Sequence, residues 1–154
     1  VSMARNYGAL KSKGNIIIFL DADTIFDEKL IRKLDSIKDK NFFGTCKVRP
    51  DNKKFIAKFI ILFKNLSGLF GIHNASGMIF TTRNVFDNVK YNKNRIKHEN
   101  EDFSKRAKKY GERYFLNCYT TTSMRRYERL GYLNVPLYWI KDFIFRTKDY
   151  PAFR

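Results

Sequence analysis

A run of apolar residues that ends abruptly in two carboxylates constrains the fold of this chain more than any other feature. Residues 16–20 are Ile-Ile-Ile-Phe-Leu, and Asp21, Ala22 and Asp23 follow directly. Short apolar runs rich in β-branched residues are typical of strands buried on both faces, as in the middle of a parallel sheet. Because helical patterns flank the run, we predict an α/β fold with this strand inside its sheet.

Asp21 and Asp23 would stand at the carboxyl end of the strand, where open α/β sheets bind ligands. Paired carboxylates suit Mg²⁺ or Mn²⁺ held together with substrate phosphates. One alternative is that Asp23 or Asp27 caps the next helix. An EF-hand loop also begins Asp-x-Asp, but Ile25 takes its next ligand position and Arg32 replaces its bidentate glutamate.

Periodicity and turn residues predict alternating helices and strands. We expect helices at 2–13, 24–40, 53–66, 83–89, 100–110 and 123–130, and strands at 42–48, 76–82 and 114–121. Ser2 is the predicted N-cap of the first helix, and Gly14 its end. In the helix at 53–66, the apolar stripe is predicted to face the core and the lysines the solvent; the stripe comprises Phe55, Ile56, Phe59, Ile60 and Phe63.

The net charge of +16, from 31 basic and 15 acidic residues, predicts a polyanionic partner. That partner is a nucleic acid, an anionic membrane or a phosphorylated substrate, although a background preference for lysine explains part of the excess. Cys46 and Cys118 are too few for a disulfide framework or a zinc site. We therefore expect two buried thiols in a reducing compartment, which favours the cytoplasm.

Four segments, in order along the chain, resemble the family-two glycosyltransferases, which have the GT-A fold of nucleotide-diphospho-sugar transferases. The segments are 4–9 (Ala-Arg-Asn-Tyr-Gly-Ala) leading to Asp21-Ala22-Asp23, 76–80 (Ser-Gly-Met-Ile-Phe) with Arg83 and Phe86, 101–103 (Glu-Asp-Phe) with Arg106 and Gly111, and 123–127 (Ser-Met-Arg-Arg-Tyr) with Gly131. The last departs from the Gln-x-x-Arg-Trp motif of processive members, because Ser123 and Tyr127 replace Gln and Trp.

The resemblance implies a GT-A-like (Rossmann-like) mixed sheet flanked by helices. The strands with which this family begins, and which hold the nucleotide base and ribose, have no counterpart ahead of the first segment. We therefore expect residues 1–154 to form a single, partial catalytic domain with an aromatic, amphipathic tail at 133–154. The implied activity is inverting transfer of a sugar from a nucleotide-diphospho-sugar to a hydroxyl group.

The resemblance also implies roles for the carboxylates. Asp23 would coordinate Mn²⁺ or Mg²⁺ at the diphosphate, Asp21 would contact the ribose or a metal-bound water, and Asp102, next to Glu101, would be the general base. An alternative reading explains Glu101 and Asp102 without catalysis. With Asn100 as N-cap they complement the helix dipole, and they can pair with the cations four residues later, Lys105 and Arg106.

Two further pairs of candidate site residues each have two interpretations. Arg125 and Arg126 neutralise the departing diphosphate, or they form a solvated basic face. Ser76 and Gly77 keep the acceptor pocket open, or they allow tight strand packing.

His73 and His98 are candidate metal ligands, with surface histidines as the simpler reading. Arg5 and Asn6 are expected to hold the first helix against the strand.

The expected partners are a nucleotide-diphospho-sugar and a glycan or lipid-linked acceptor. The helix at 53–66 and the tail at 133–145 combine aromatic and basic residues, which also suits peripheral contact with an anionic membrane at its inner face. A nucleic-acid-binding module is the rival class, although no RRM, KH, helix-turn-helix or zinc pattern is present. A catalytically inactive glycosyltransferase fragment is a third possibility.

Overall fold

The computed structural model describes residues 1–70, 77–95 and 97–145, without the side chains of residues 139 and 142–145. Its helices are α1 (Ser2–Lys11), α2 (Lys29–Asp35), α3 (Phe55–Leu69), α4 (Arg83–Val89), α5 (Glu99–Ala107), α6 (Arg125–Leu130) and α7 (Asn134–Phe145). Its strands are β1 (Ile16–Leu20), β2 (Thr24–Phe26), β3 (Phe42–Pro50), β4 (Met78–Thr82) and β5 (Glu112–Thr122). None of the described helices is long and apolar enough to cross a membrane.

The strands form one five-stranded mixed sheet in the order β1-β4-β3-β5-β2. Strands β3 and β5 are parallel, and the other neighbouring pairs are antiparallel. Helices pack against this sheet on both faces, as the clusters of buried residues below show. The predicted α/β class with a mixed sheet flanked by helices is therefore confirmed.

The predicted place of β1 inside the sheet is wrong. Among the described strands β1 pairs only with β4, so it lies at an edge. Its residues alternate in burial: Ile17 and Phe19 are buried, whereas Leu20 is 41% exposed. An apolar run indicates that its side chains are suited to burial, but it does not indicate how many strands pair with it.

The helix predicted at 24–40 begins later than expected. Thr24–Phe26 form β2, whose first residue pairs with Thr122 of β5. The N-cap of α2 is Glu28. The backbone N–H of Lys29 donates to Asp27 Oδ1 at 2.9 Å, so Asp27, and not Asp23, accepts a hydrogen bond from the first turn of this helix. Three β-forming residues in a row, with a cross-strand partner, override the helical pattern here.

Two predicted caps are also wrong. Ser2 lies inside α1, whose N-cap is Val1, and its buried hydroxyl group has no hydrogen-bond partner among the described residues. The helix ends at Lys11, before Gly14. Asn100 lies inside α5, which begins after His98, a residue with a left-handed backbone (φ 56°).

Each face of the sheet carries a cluster of buried apolar side chains. One cluster packs beneath α1, α4 and α5 and includes Ile17, Phe19, Phe43, Ile79, Phe86 and Phe103. The other packs beneath α2 and includes Leu30, Leu34, Phe42, Phe80 and the two cysteines. Cys46 and Cys118 are free, buried thiols, as predicted, and burial raises the pKa of Cys46 to about 12.

Helix α3 packs with the opposite face from the one predicted. Its inner face carries the small or short side chains Ala57, Ile61 and Gly68, which are buried. A Cβ at Gly68 would lie 2.7 Å from the ring of Phe115, so this close approach requires glycine. The predicted core stripe instead faces outward, and its first member, Phe55, is 82% exposed.

Candidate functional site

Asp21 and Asp23 lie in the turn that follows β1, as predicted, and both are exposed. The backbone of this turn is held at two points. The N–H of Asp21 donates to the carbonyl of Gly77 at 2.8 Å, and the N–H of Thr24 donates to the carbonyl of Asp21 at 3.0 Å. The turn therefore has a fixed position beside the start of β4.

Gly77 allows the turn to pack closely against β4. It has a positive φ of 76°, and a Cβ at this position would lie 2.3 Å from Thr24 Oγ1. The small size of Gly77 therefore allows the carboxylate turn to pack closely against β4. This corresponds to the tight-packing interpretation of this residue. Ser76 and His73 lie outside the described residues.

Arg5 connects the turn to the amino-terminal end of α5. Its Nη2 donates to Asp21 Oδ1 at 3.0 Å, and its Nη1 donates to Asn100 Oδ1 and lies 3.5 Å from Glu99 Oε1. Its guanidinium also lies over the ring of Tyr91, 5.2 Å from the centroid. A charged planar group with several donors is suited to joining acceptors on separate elements.

Tyr91 and Asn6 complete this connection. The Asn6 amide exchanges two hydrogen bonds of 2.8 Å with the backbone N–H and carbonyl of Tyr91, and the Tyr91 hydroxyl group donates to Asn100 at 3.1 Å. Burial raises the pKa of Tyr91, so its hydroxyl group remains a donor. Arg5 thus holds α1 against the turn after β1, as expected, whereas Asn6 holds it against the backbone of Tyr91 rather than against the strand.

The acidic pair on α5 is engaged by cations. Asp102 Oδ2 accepts hydrogen bonds from Arg106 at 2.8 and 3.0 Å, and Glu101 pairs with Lys105 at 2.7 Å. Both pairings predicted by the non-catalytic reading therefore form. The other Asp102 oxygen, Oδ1, lies 3.9 Å from Arg95, and His98 Nδ1 lies 3.4 Å from Glu101.

Pairing between β2 and β5 brings the segment that contains Arg125 and Arg126 near the carboxylate turn. Thr24 pairs with Thr122, which stands just before Ser123 and α6. Arg125 and Arg126 are both exposed in the first turn of α6. The end of β5 therefore brings these cations into the neighbourhood of the carboxylate turn.

Lys64 adds a cation from α3. It precedes the buried Gly68 by four residues, so it lies on the inner face of that helix. Burial is the main cause that lowers the pKa of the Lys64 ammonium group, and the guanidinium of Arg126 lowers it too. The carboxylates of Asp21 and Asp23 act in the opposite direction. Lys64 therefore lies within electrostatic reach of Asp21, Asp23 and Arg126.

Comparison with known families agrees with this convergence of segments. The model of the family described as Glycosyl transferase family 2 matches residues 1–131, which is most of the chain. The chain belongs to this family. Neither the curated proteins nor the solved structures contain a match to it.

In this family 2 glycosyltransferase, contacts connect the turn after β1 to the second and fourth segments and to Asn100, directly ahead of the third. The second segment pairs with β1 through Leu20 and Met78, and the third is reached through Arg5. The fourth is reached through the pairing of β2 with β5. The family match therefore shows a glycosyltransferase, and these contacts make the turn after β1 its candidate site.

The carboxylates fit a divalent ion only in part. No group of three His, Cys, Asp or Glu side chains in the described ranges forms a metal site. Mg²⁺ is usually bound by one or two carboxylates together with substrate phosphates, so two exposed aspartates match such a substrate-completed site. Asp21 is already paired with Arg5, whereas the hydrogen bond described for the Asp23 carboxylate is from Thr24 Oγ1 at 3.5 Å, so Asp23 is the more available of the two.

Lys64, Glu99 and Asn100 belong to the candidate site through their interactions with its residues, which the sequence patterns did not predict. The predicted burial of the apolar stripe places Lys64 on the solvated face. Its spacing from Ala57 and Gly68, seven and four residues away, was the available signal. Glu99 and Asn100 carried no local signal, because their link to Arg5 spans more than 90 residues.

Proposed function

We propose that this glycosyltransferase moves a sugar from a nucleotide-diphospho-sugar to a hydroxyl group of a glycan or lipid-linked acceptor, with inversion and with a divalent ion. The observation that carries the proposal is the Arg5 connection. It joins Asp21, in the turn suited to the diphosphate, to the start of α5, which carries Glu101 and Asp102. We also propose a cytoplasmic location, supported by two free cysteines.

In this proposal, Asp23, assisted by Asp21, would hold Mn²⁺ or Mg²⁺, which supplies electrostatic stabilisation of the negative charge on the leaving diphosphate. Lys64 and Arg126 supply positive charge from the protein itself. Lys64 is already desolvated and lies close to both carboxylates, so its charge acts in a medium where electrostatic interactions are stronger than in water.

Asp102 is the proposed general base. The acceptor oxygen attacks the anomeric carbon, the bond from that carbon to the phosphate oxygen breaks, and Asp102 takes the hydroxyl proton. Its Oδ1 is the oxygen for this role, because Oδ2 accepts both hydrogen bonds from Arg106. Arg106 thereby orients the carboxylate, since its guanidinium is itself fixed by the backbone carbonyls of Val89 and Lys90.

Thermal unfolding tests the donor site. Mn²⁺ together with UDP or GDP, each at about a hundredfold excess over Kd, is expected to raise the Tm by about 5–10 °C. Asp23→Asn should abolish this shift, and the exposed Asp39→Asn should retain it. The donor site is rejected if neither nucleotide raises the Tm, or if Asp23→Asn responds as the wild type does.

A second measurement tests the base. Release of UDP or GDP from the corresponding sugar nucleotides is followed with a short glycan and a lipid extract as acceptors. Asp102→Asn should lower this rate by about a hundredfold or more and leave the nucleotide-induced Tm shift intact. Asp87→Asn, which alters an exposed carboxylate on α4, is the matched control. An Asp102→Asn variant with the wild-type rate would assign the base to another residue.

A further inference from the structure

Helix α3 has an apolar outer face in addition to its apolar inner face. Its exposed apolar side chains are Phe55, Ile56, Phe59, Leu62, Phe63, Leu66 and Leu69, and Phe70 follows directly. At 100° per residue these positions lie within about 140° of one another, opposite Ala57, Ile61 and Gly68. A continuous apolar ridge of this kind marks an interaction surface rather than ordinary surface composition.

The charge around the ridge distinguishes between kinds of partner. Residues 52–86 contain no Asp or Glu, and Lys53, Lys54 and Lys58 lie at or beside the amino-terminal half of α3. All three lysines are exposed. Phenylalanine and leucine on one side, with Lys53 and Lys58 at the border and no acid within residues 52–86, match the acyl chains and phosphate groups of an anionic bilayer.

A second apolar stripe begins beside the first. Leu133, Leu137 and Ile140 are exposed at helical spacing along α7. The start of α7 is joined to α3 through Lys54, whose ammonium group lies 5.5 Å from the ring centroid of Tyr132 and 3.0 Å from Glu128. The segment directly ahead of α7 therefore lies against the amino-terminal end of α3, where the first stripe begins.

We propose that the outer face of α3, extended by the stripe on α7, docks this protein peripherally onto an anionic lipid bilayer. The apolar side chains enter the acyl boundary, and Lys53 and Lys58 contact the headgroup phosphates. The helix lies along the membrane plane. This docking goes beyond the proposed transfer reaction and does not depend on it, because none of the outer-face residues belongs to the carboxylate site.

Vesicle co-sedimentation of the full chain tests the proposal. The protein is expected to bind phosphatidylcholine vesicles that contain about a third phosphatidylglycerol, and to bind pure phosphatidylcholine at least about tenfold more weakly. The double variant Phe59→Ser/Phe63→Ser should lower the partition coefficient by about tenfold or more. Its folding is checked by the thermal unfolding transition, which exposed positions should leave nearly unchanged.

Matched controls separate the ridge from exposed apolar residues in general. Leu10→Ser/Ile31→Ser removes two exposed apolar side chains from α1 and α2, and binding should be unchanged. Lys53→Glu/Lys58→Glu should abolish the preference for anionic vesicles, whereas Lys93→Glu, in an exposed loop, should not.

Several outcomes overturn the proposal. They are a failure of the wild type to bind anionic vesicles, equal binding by the Phe59→Ser/Phe63→Ser variant, and a protein that dimerises through this face without binding vesicles. The proposed transfer reaction fails separately, through the Asp23→Asn and Asp102→Asn measurements. Vesicle binding without nucleotide binding would leave the docking proposal supported.

Discussion

Arg5 and Asp21 form an ion pair, with Nη2 and Oδ1 3.0 Å apart, that joins the first helix of this glycosyltransferase to the carboxyl end of β1. The Arg5 side chain is 15% exposed and that of Asp21 is 50% exposed. The pair is therefore anchored at the arginine, and the aspartate reaches the surface where a ligand can contact it. Four interactions of Arg5, with Asp21, Glu99, Asn100 and Tyr91, set the position of one carboxylate of the site.

Replacing Arg5 should destabilise the protein. Arg5→Met removes charge-assisted hydrogen bonds from a mostly buried group, so we expect the free energy of unfolding to fall by about 2–3 kcal/mol. Urea unfolding measures this change. Arg32→Met, at an exposed position of α2, should change it by less than about 0.5 kcal/mol. Equal decreases in the free energy of unfolding of the two variants would show that the interactions of Arg5 make no specific contribution to stability.

Removing the Lys64 charge should have opposite effects on two ligands. Lys64→Met should strengthen binding of Mn²⁺ alone, because the lysine competes with the cation for Asp21 and Asp23. It should weaken binding of UDP or GDP, because a positive charge beside the diphosphate is lost. Each change is expected to be about tenfold in Kd, or about 1.4 kcal/mol.

Lys58→Met provides the control for this prediction, since Lys58 is exposed on the same helix. Isothermal titration gives both dissociation constants. If Lys64→Met changes the affinities for Mn²⁺ and for the nucleotide in the same direction, Lys64 does not act by charge at this site.

Two glycine replacements should change stability in opposite directions. Gly8 lies in α1 with no atom within 4 Å of an added Cβ, so Gly8→Ala should raise the free energy of unfolding by about 0.5–1 kcal/mol. Gly77→Ala places a Cβ against Thr24 at a positive φ and should lower it by about 1–3 kcal/mol. Urea unfolding of the two variants is the measurement, and a stable Gly77→Ala protein would contradict the described turn.

The buried thiol predicts how stability depends on alkaline pH. The pKa of Cys46 is raised by burial, and by the nearby Cys118, from its ordinary value of 9.0 to about 12. Above pH 9 the unfolded chain loses this proton while the folded chain keeps it, so the unfolded state is favoured. The contribution of this group to stability falls by about 1.4 kcal/mol per pH unit between the two pKa values and is constant at lower pH.

Comparison of the wild type with Cys46→Ala isolates this contribution. The free energy of unfolding of the wild type should fall more steeply than that of the variant between about pH 9 and 10.5. Parallel curves would mean that Cys46 titrates normally in the folded protein. The native thiol should also be slow to react with aromatic disulfide reagents at pH 8, because it is inaccessible and protonated.

Local sequence patterns were sufficient to predict the elements in which residue periodicity and turn residues indicate the same structure. Helix α4 begins and ends at the predicted residues, and β3, β4 and β5 lie where alternation and turn residues indicated. The carboxylates after β1 and the pairings of Glu101 and Asp102 were also predictable, because each depends on residues within a few positions of one another.

The remaining features depend on partners distant in sequence. The apolar run of β1 could not indicate that only β4 would pair with it, and β2 depends on β5, almost 100 residues away. Helix α3 is apolar on two faces, so periodicity could not select the inner one. Close packing selected it, because Gly68 allows an approach to Phe115 that a larger side chain would prevent.

Because α3 has an inner and an outer face, its diameter would set the distance between the carboxylate turn and a membrane bound to the outer face. Lys64 lies on the inner face of the helix, within electrostatic reach of Asp21 and Asp23, and the exposed phenylalanines lie on the outer face, across a helix diameter of about 10 Å. A bilayer seated on the phenylalanines would therefore lie at nearly that height from the proposed diphosphate site. Such a short gap favours substrates whose reactive hydroxyl group sits close to the headgroup plane over those that present it at the tip of a long glycan.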